Sequence, residues 1–196
     1  AGMATSTGGR KPMIIKFVPN GRYSIGIELK PHKARIILTD LASTIIDQGS
    51  LRWGTLIVDD VMKELSLLVE EIMQKNNTPK NKLLGVGFAL PGVMDEEILR
   101  LENAPNLGAS NIDFTRYQSL FPSQIYIENE ANTAAYAEAM LTDESHHSNL
   151  IFLSITEGIG AGIMIQNQLY KGSNKKAGEF GHMRISMEKE KCSCGR

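Results

Sequence analysis

The chain has 196 residues, a formal net charge of −1, 42% hydrophobic and 22% charged residues. That length holds one full domain and part of another, with an ordinary globular composition and too little positive charge to offer a nucleic-acid surface within these residues. No apolar run is long enough to cross a membrane and no signal-peptide pattern opens the chain, so the expected compartment is the cytoplasm.

Residues 1–22 read as a leader and linker, with Thr7-Gly8-Gly9-Arg10-Lys11-Pro12 and then a Pro19-Asn20-Gly21 turn. Three strand-like runs follow: Tyr23–Leu29, with Ile25, Ile27 and Leu29 on one face, then Ala34–Thr39 and Thr44–Leu51. Their short connections predict an antiparallel meander. From Leu56 to Lys75, apolar residues recur at three- and four-residue spacing, which predicts an amphipathic helix ended by Asn76-Asn77-Thr78-Pro79. Leu83–Leu90 is nearly continuous and apolar, as in a buried parallel strand. A loop region through Asn103-Ala104-Pro105-Asn106 leads to a weak helix at Asp113–Leu120. A strand at Gln124–Ile127 and an alanine-rich helix at Glu130–Met140 complete a βββαβ(α)βα order with at least two parallel crossovers. Residues 141–148 read as a linker, within which His146 and His147 are solvated. Strands at Leu150–Ile155, Ala161–Ile165 and Gln168–Tyr170 then begin a second unit too small to bury a core alone.

Two local features stand out. Asn129-Glu130 sits at a strand-to-helix junction, where open α/β sheets bind ligands, although Asn129 could equally cap the helix. Cys192 and Cys194 are one residue apart; a disulfide across that spacing would be strained, so a reducing compartment and a thiol or metal role fit better.

Six segments in order, Gly87-Phe88-Ala89-Leu90-Pro91-Gly92, Ala104-Pro105-Asn106-Leu107, Ile127-Glu128-Asn129-Glu130-Ala131-Asn132, Gly158-Ile159-Gly160-Ala161-Gly162, Ala177-Gly178-Glu179-Phe180-Gly181-His182 and Cys192-Ser193-Cys194-Gly195, resemble the ROK (repressor, open reading frame, kinase) family. The resemblance implies an α/β fold of the actin-like, ribonuclease H-like (hexokinase-type) kind: a mixed sheet of three antiparallel strands followed by parallel crossovers. It places a first lobe at 23–146 and the start of a second at 147–196, ending inside the metal motif. The stretch from Thr7 to Pro12 resembles the segment after the winged helix-turn-helix in xylose-operon-type repressors, so a DNA-binding domain is expected to precede these residues.

Family kinases carry Asp-x-Gly-Gly-Thr in the first hairpin, whose backbone amides cradle phosphates. Here that stretch is Glu28-Leu29-Lys30-Pro31-His32, without either glycine and with a proline that has no amide hydrogen. The second phosphate loop has Glu157 where a phosphate would approach. At the position of the kinase general base stands Glu130 in place of Asp, displaced by a methylene. The expectation is therefore no kinase activity and no ATP. An atypical kinase, or a module docking a phosphotransfer protein, are the alternatives.

By the same resemblance, Asn106, Asn129, Glu130, Glu179 and His182 ring the hydroxyl groups of a monosaccharide or sugar phosphate. His182, Cys192 and Cys194 are ligands of a zinc site whose fourth ligand lies beyond Arg196, so zinc is expected in the intact protein and weak or absent in residues 1–196 alone. The expected partners are that sugar effector, operator DNA through the preceding domain, and further copies in a homodimer or homotetramer, with no membrane.

Overall fold

In the computed structural model, residues 2–3, 13–141, 148–156 and 158–183 are described. A two-residue ladder pairs β1 (Gly2–Met3) with β2 (Met13–Ile14). The meander follows as β3 (Tyr23–Lys30), β4 (Lys33–Asp40) and β5 (Ile45–Arg52), antiparallel throughout. Alternation decides which face is buried. Ile25, Ile27 and Leu29 of β3 pack inward beside Ala34, Ile36 and Leu38 of β4, while Arg35 between them is exposed.

Helix α1 (Val58–Lys75) covers that face and buries Val61, Met62, Leu65, Val69, Ile72 and Met73. Each such side chain contributes roughly 1.5–3 kcal/mol relative to leaving it in water. Asp59 and Asp60 sit in the first turn and Lys75 in the last, each favourable to the helix dipole. The helix returns the chain to β6 (Leu83–Leu90), which pairs parallel with β3. After an excursion, β10 (Ile125–Asn129) pairs parallel with β6, which completes the order β10-β6-β3-β4-β5. The mixed sheet with two parallel crossovers is the one its apolar pattern predicts.

The excursion between β6 and β10 differs from the expected loop. It is a second, antiparallel sheet of β7 (Val93–Asp95), β8 (Arg100–Ala104) and β9 (Ala109–Asp113). Strands of three to five residues, interrupted by the left-handed residues Leu99 and Asn111, show no alternation long enough to read. The expected helix at Asp113–Leu120 is a 3-10 helix, Phe114–Leu120, capped by Asp113. Phe114 and Phe121 meet Phe88 of β6 edge to face, ring centres 5.4 Å apart in both pairs, and tie the excursion to the core.

Helix α2 (Glu130–Leu141) leads to a third sheet of β11 (Leu150–Ile155), β12 (Ile159–Ile165) and β13 (Gln168–Leu169). Gln166 and Asn167, both with positive φ, form the two-residue turn between β12 and β13. One face of this sheet packs on α2 at very short range. A methyl at Gly162 would lie 2.3 Å from the Ala131 carbonyl oxygen and 2.5 Å from the Ala135 Cβ. On the far face Ile151, Leu153 and Ile155 stand exposed.

Candidate functional site

The carboxyl ends of β6 and β10, the start of α2, the second small sheet and the 158–182 segment enclose a cavity of about 190 Å³. Asn106, Asn129, Glu130, Glu179 and His182, the five candidate sugar ligands, all line it. They come from three separate stretches of chain, and the fold brings all of them to one place.

Asn129 closes β10 and holds the junction together. Its carboxamide oxygen accepts hydrogen bonds from the backbone N–H of Ala131 (2.9 Å) and of Asn132 (3.2 Å), and its Nδ2 donates to the Gly92 carbonyl (3.0 Å). The capping role is therefore real, and it aims the same side chain into the cavity wall. Glu130 follows in the first turn of α2. Asn106 arrives on a 3-10 turn, Pro105–Leu107, between β8 and β9.

Glu179 and His182 are carried by the 177–182 segment, which lies flat against β12. Gly178 has φ +88°, and a Cβ there would fall 1.9 Å from the Ala161 carbonyl oxygen, so no other residue fits without moving that backbone. Within the segment, His182 Nε2 is 3.3 Å from Glu179 Oε2. Of the three expected zinc ligands only His182 is placed. Cys192, Cys194 and Glu157 lie outside the described residues, as do His146 and His147, and among the described residues no cluster of three metal-ligating side chains occurs.

The structure adds charged residues that motif reading did not single out. Lys171 donates to Glu96 Oε1 (2.7 Å) and to Glu128 Oε2, and Lys175 donates to Asp95 Oδ1 (2.9 Å) with Glu97 at 3.4 Å. Burial would lower the Lys171 ammonium, but its hydrogen bonds to Glu128 and Glu96 outweigh that and hold it above the ordinary lysine range. Lys175 is likewise raised, chiefly by its hydrogen bond to Asp95, whose carboxyl is lowered in turn by the same contact. Glu128 links this network to the candidate ligands, since its Oε1 accepts from the Asn129 N–H and from Asn132 Nδ2. The only hint in the sequence is an acidic run, Asp95-Glu96-Glu97, and a basic one at 171–176.

The turn of the first hairpin is hydrogen-bonded to the residues that follow β5. The Pro31 carbonyl accepts from Trp53 Nε1 (2.8 Å), the His32 carbonyl accepts from the Trp53 N–H (3.1 Å), and His32 Nδ1 is 3.0 Å from the Gly54 carbonyl oxygen. Glu28 pairs with Lys30 at 3.1 Å.

Comparison with known proteins places this architecture. The xylose repressor of Bacillus spizizenii is 36% identical over 197 residues, covering 99% of this chain and 50% of that protein. Among solved structures, a ROK-family transcriptional regulator homologous to the Escherichia coli MLC protein superposes with a TM-score of 0.77 at 22% identity, over 91% of this chain and 45% of that one. A ROK-family glucokinase from Streptomyces griseus, in complex with glucose and AMPPNP, superposes with a TM-score of 0.78 at 22% identity, over 89% and 54%. At that identity the two structures establish the shared actin-like fold. The chain spans about half the length of the curated relatives it matches. The ROK family model matches residues 24–196, and the chain belongs to the ROK family.

Proposed function

We propose that this chain is the sugar-sensing part of a transcriptional repressor of carbohydrate-utilisation genes. The observation that carries the reading is the convergence of Asn106, Asn129, Glu130, Glu179 and His182 on one cavity. Its volume holds on the order of a dozen water-sized groups, about the number of non-hydrogen atoms in a monosaccharide. Carboxamide, carboxylate and imidazole groups in fixed positions are what a ring of hydroxyls needs for directional hydrogen bonding.

Similarity to the xylose repressor supports the regulatory half. In this reading, sugar held between the β10–α2 junction and the 177–182 segment changes how the two lobes sit. A DNA-binding domain outside these residues, in a cytoplasmic homodimer or homotetramer, responds to that change. The hydrogen-bonded turn of the first hairpin supports the absence of kinase activity. Its carbonyls at Pro31 and His32 are engaged by Trp53, and proline supplies no amide for an anion. His182, with Cys192 and Cys194, has the donor chemistry of a zinc site, and zinc there would set the orientation of the His182 ring beside Glu179.

The test is a thermal-shift and calorimetric sugar screen of the intact protein, with zinc content measured, alongside operator release in a mobility-shift assay. The expected result is one sugar that both stabilises the protein and changes its hold on operator DNA. Operator binding indifferent to every sugar overturns the regulatory reading. ADP released in a coupled assay, and lost in Glu130→Gln, would establish a kinase instead.

A further inference from the structure

Residues 171–177 join β13 to the segment that carries Glu179 and His182. The loop closes on itself, since the Ala177 N–H donates to the Lys171 carbonyl (3.0 Å), and it turns through two left-handed residues, Gly172 (φ +72°) and Lys175 (φ +57°). A lysine in that conformation is uncommon and persists where its surroundings hold it. Here the surroundings are carboxylates of the first lobe. Lys175 meets Asp95 at 2.9 Å, Glu97 at 3.4 Å and Glu96 at 3.6 Å, while Lys171 divides its ammonium between Glu96 (2.7 Å) and Glu128. The side chains of Lys171, Glu96 and Glu128 are 26%, 24% and 28% exposed, so solvent and salt screen these pairs less than they screen pairs on an open surface.

Glu128 makes the Lys171 contact different in kind from the Lys175 one. Its Oε2 accepts from Lys171, and its Oε1 accepts from the Asn129 N–H (2.9 Å) and from Asn132 Nδ2 (3.0 Å). Asn129 in turn caps α2 through the Ala131 and Asn132 amides and lines the cavity. One carboxylate thus spans the loop that leads to Glu179 and His182 and the strand-to-helix junction that holds Asn129. Lys175, in the same loop, ends instead on Asp95, Glu96 and Glu97.

We infer, on the sugar-binding reading above, that Glu128 is a positioning residue: by bridging Lys171 to the Asn129 cap, it makes docking of the 171–177 loop and binding of a sugar at Asn129 stabilise each other. Coupling of this kind is reciprocal. Breaking the bridge therefore loosens the cap in the absence of ligand, and weakens the ligand without removing any group that touches it. For groups that share one hydrogen-bond network, the effect is about tenfold in either equilibrium.

The experiment uses the intact protein and two readouts: amide hydrogen exchange on peptides spanning the start of α2, and titration calorimetry with D-xylose and D-glucose. Glu128→Gln keeps an oxygen to accept from Asn129 and Asn132 but turns an amide nitrogen or a neutral oxygen toward Lys171; Lys171→Met removes the bridge from the other side. Each should speed exchange at the Ala131 and Asn132 amides about tenfold and weaken the sugar that binds by a similar factor. The double variant should be no worse than the weaker single one, because both changes break the same bridge. Lys175→Met should move either readout by no more than about twofold, since its partners lie outside that bridge. The two bridge substitutions sit on different elements, so a folding defect in one leaves the other to decide. Additive losses in the double variant, or a Lys175→Met effect equal to that of Lys171→Met, overturn the inference. Unaltered exchange in both single variants, with a sugar still bound, overturns the bridge and leaves the sugar site standing. If neither sugar binds folded wild-type protein, the sugar-binding reading fails and takes the ligand half of the inference with it.

Discussion

Replacing Asn129 divides its hydrogen bonding into two parts, because alanine removes both the acceptor and the donor whereas aspartate removes only the donor. Asn129→Ala deletes the acceptor that caps α2 through the Ala131 and Asn132 amides and the donor to the Gly92 carbonyl. Loss of a cap costs about 1 kcal/mol, and a part-buried hydrogen bond about as much again. The expected destabilisation is therefore about 2 kcal/mol, a midpoint lowered by roughly 4–8 °C for a domain of this size. Asn129→Asp keeps an acceptor for the helix amides and gains dipole stabilisation, but it faces the Gly92 carbonyl with an oxygen. It should lose about half as much stability as alanine does. Urea unfolding followed by circular dichroism measures both. Equal losses in the two variants would refute the division, and a loss below about 0.5 kcal/mol in Asn129→Ala would refute the capping contribution altogether. Sugar binding, measured on whichever variant stays folded, should fall in both, since the same side chain lines the cavity.

Three further outcomes follow from other contacts. Gly162→Ala places a methyl 2.3 Å from the Ala131 carbonyl oxygen, so α2 must move away from β12; a cost of about 2 kcal/mol in urea unfolding is expected, and an unchanged midpoint would show that the contact yields freely. Trp53→Phe keeps a ring but loses the hydrogen bond to the Pro31 carbonyl, and should cost about 1 kcal/mol in the same measurement. Burial, and then the hydrogen bond Tyr117 donates to Asp59, raise the Tyr117 phenol from 10.0 to about 12. A group raised on folding stabilises fully below its unfolded value and loses that contribution as pH rises through the folded one. Stability should thus decline between about pH 10 and 12, and ultraviolet titration should find one of the five tyrosines ionising near pH 12, a step absent in Tyr117→Phe.

Long elements were legible because their patterns span enough residues to be unambiguous. The strand Leu83–Leu90 runs as its apolar stretch predicts, and α1 buries the three- and four-spaced residues from Val61 to Met73. The sheet of β7, β8 and β9 was not legible. Its strands are only three to five residues long, and pairing with one another is what distinguishes them from a loop. Asn129 was readable as both cap and ligand, and the geometry shows that its position serves the first while leaving it in the cavity wall. Lys171, Lys175, Glu96 and Glu128 escaped notice because each, taken singly, looks like a solvated charge. Their partners lie 43 to 80 residues away.

What the amino-acid order determined by itself is local: which face of each strand is apolar, where the helices run, and that Pro31 in the first hairpin has no amide hydrogen to donate. Those features depend on neighbours in the chain, and periodicity or a missing amide hydrogen expresses them directly. The cavity and the lysine–carboxylate bridges between Lys171, Lys175 and the β7–β8 turn were decided only by the tertiary structure. They arise where the parallel strand ends, the small sheet and the 177–182 segment meet. Electrostatic energy depends on distance through space, which spacing along the chain does not report.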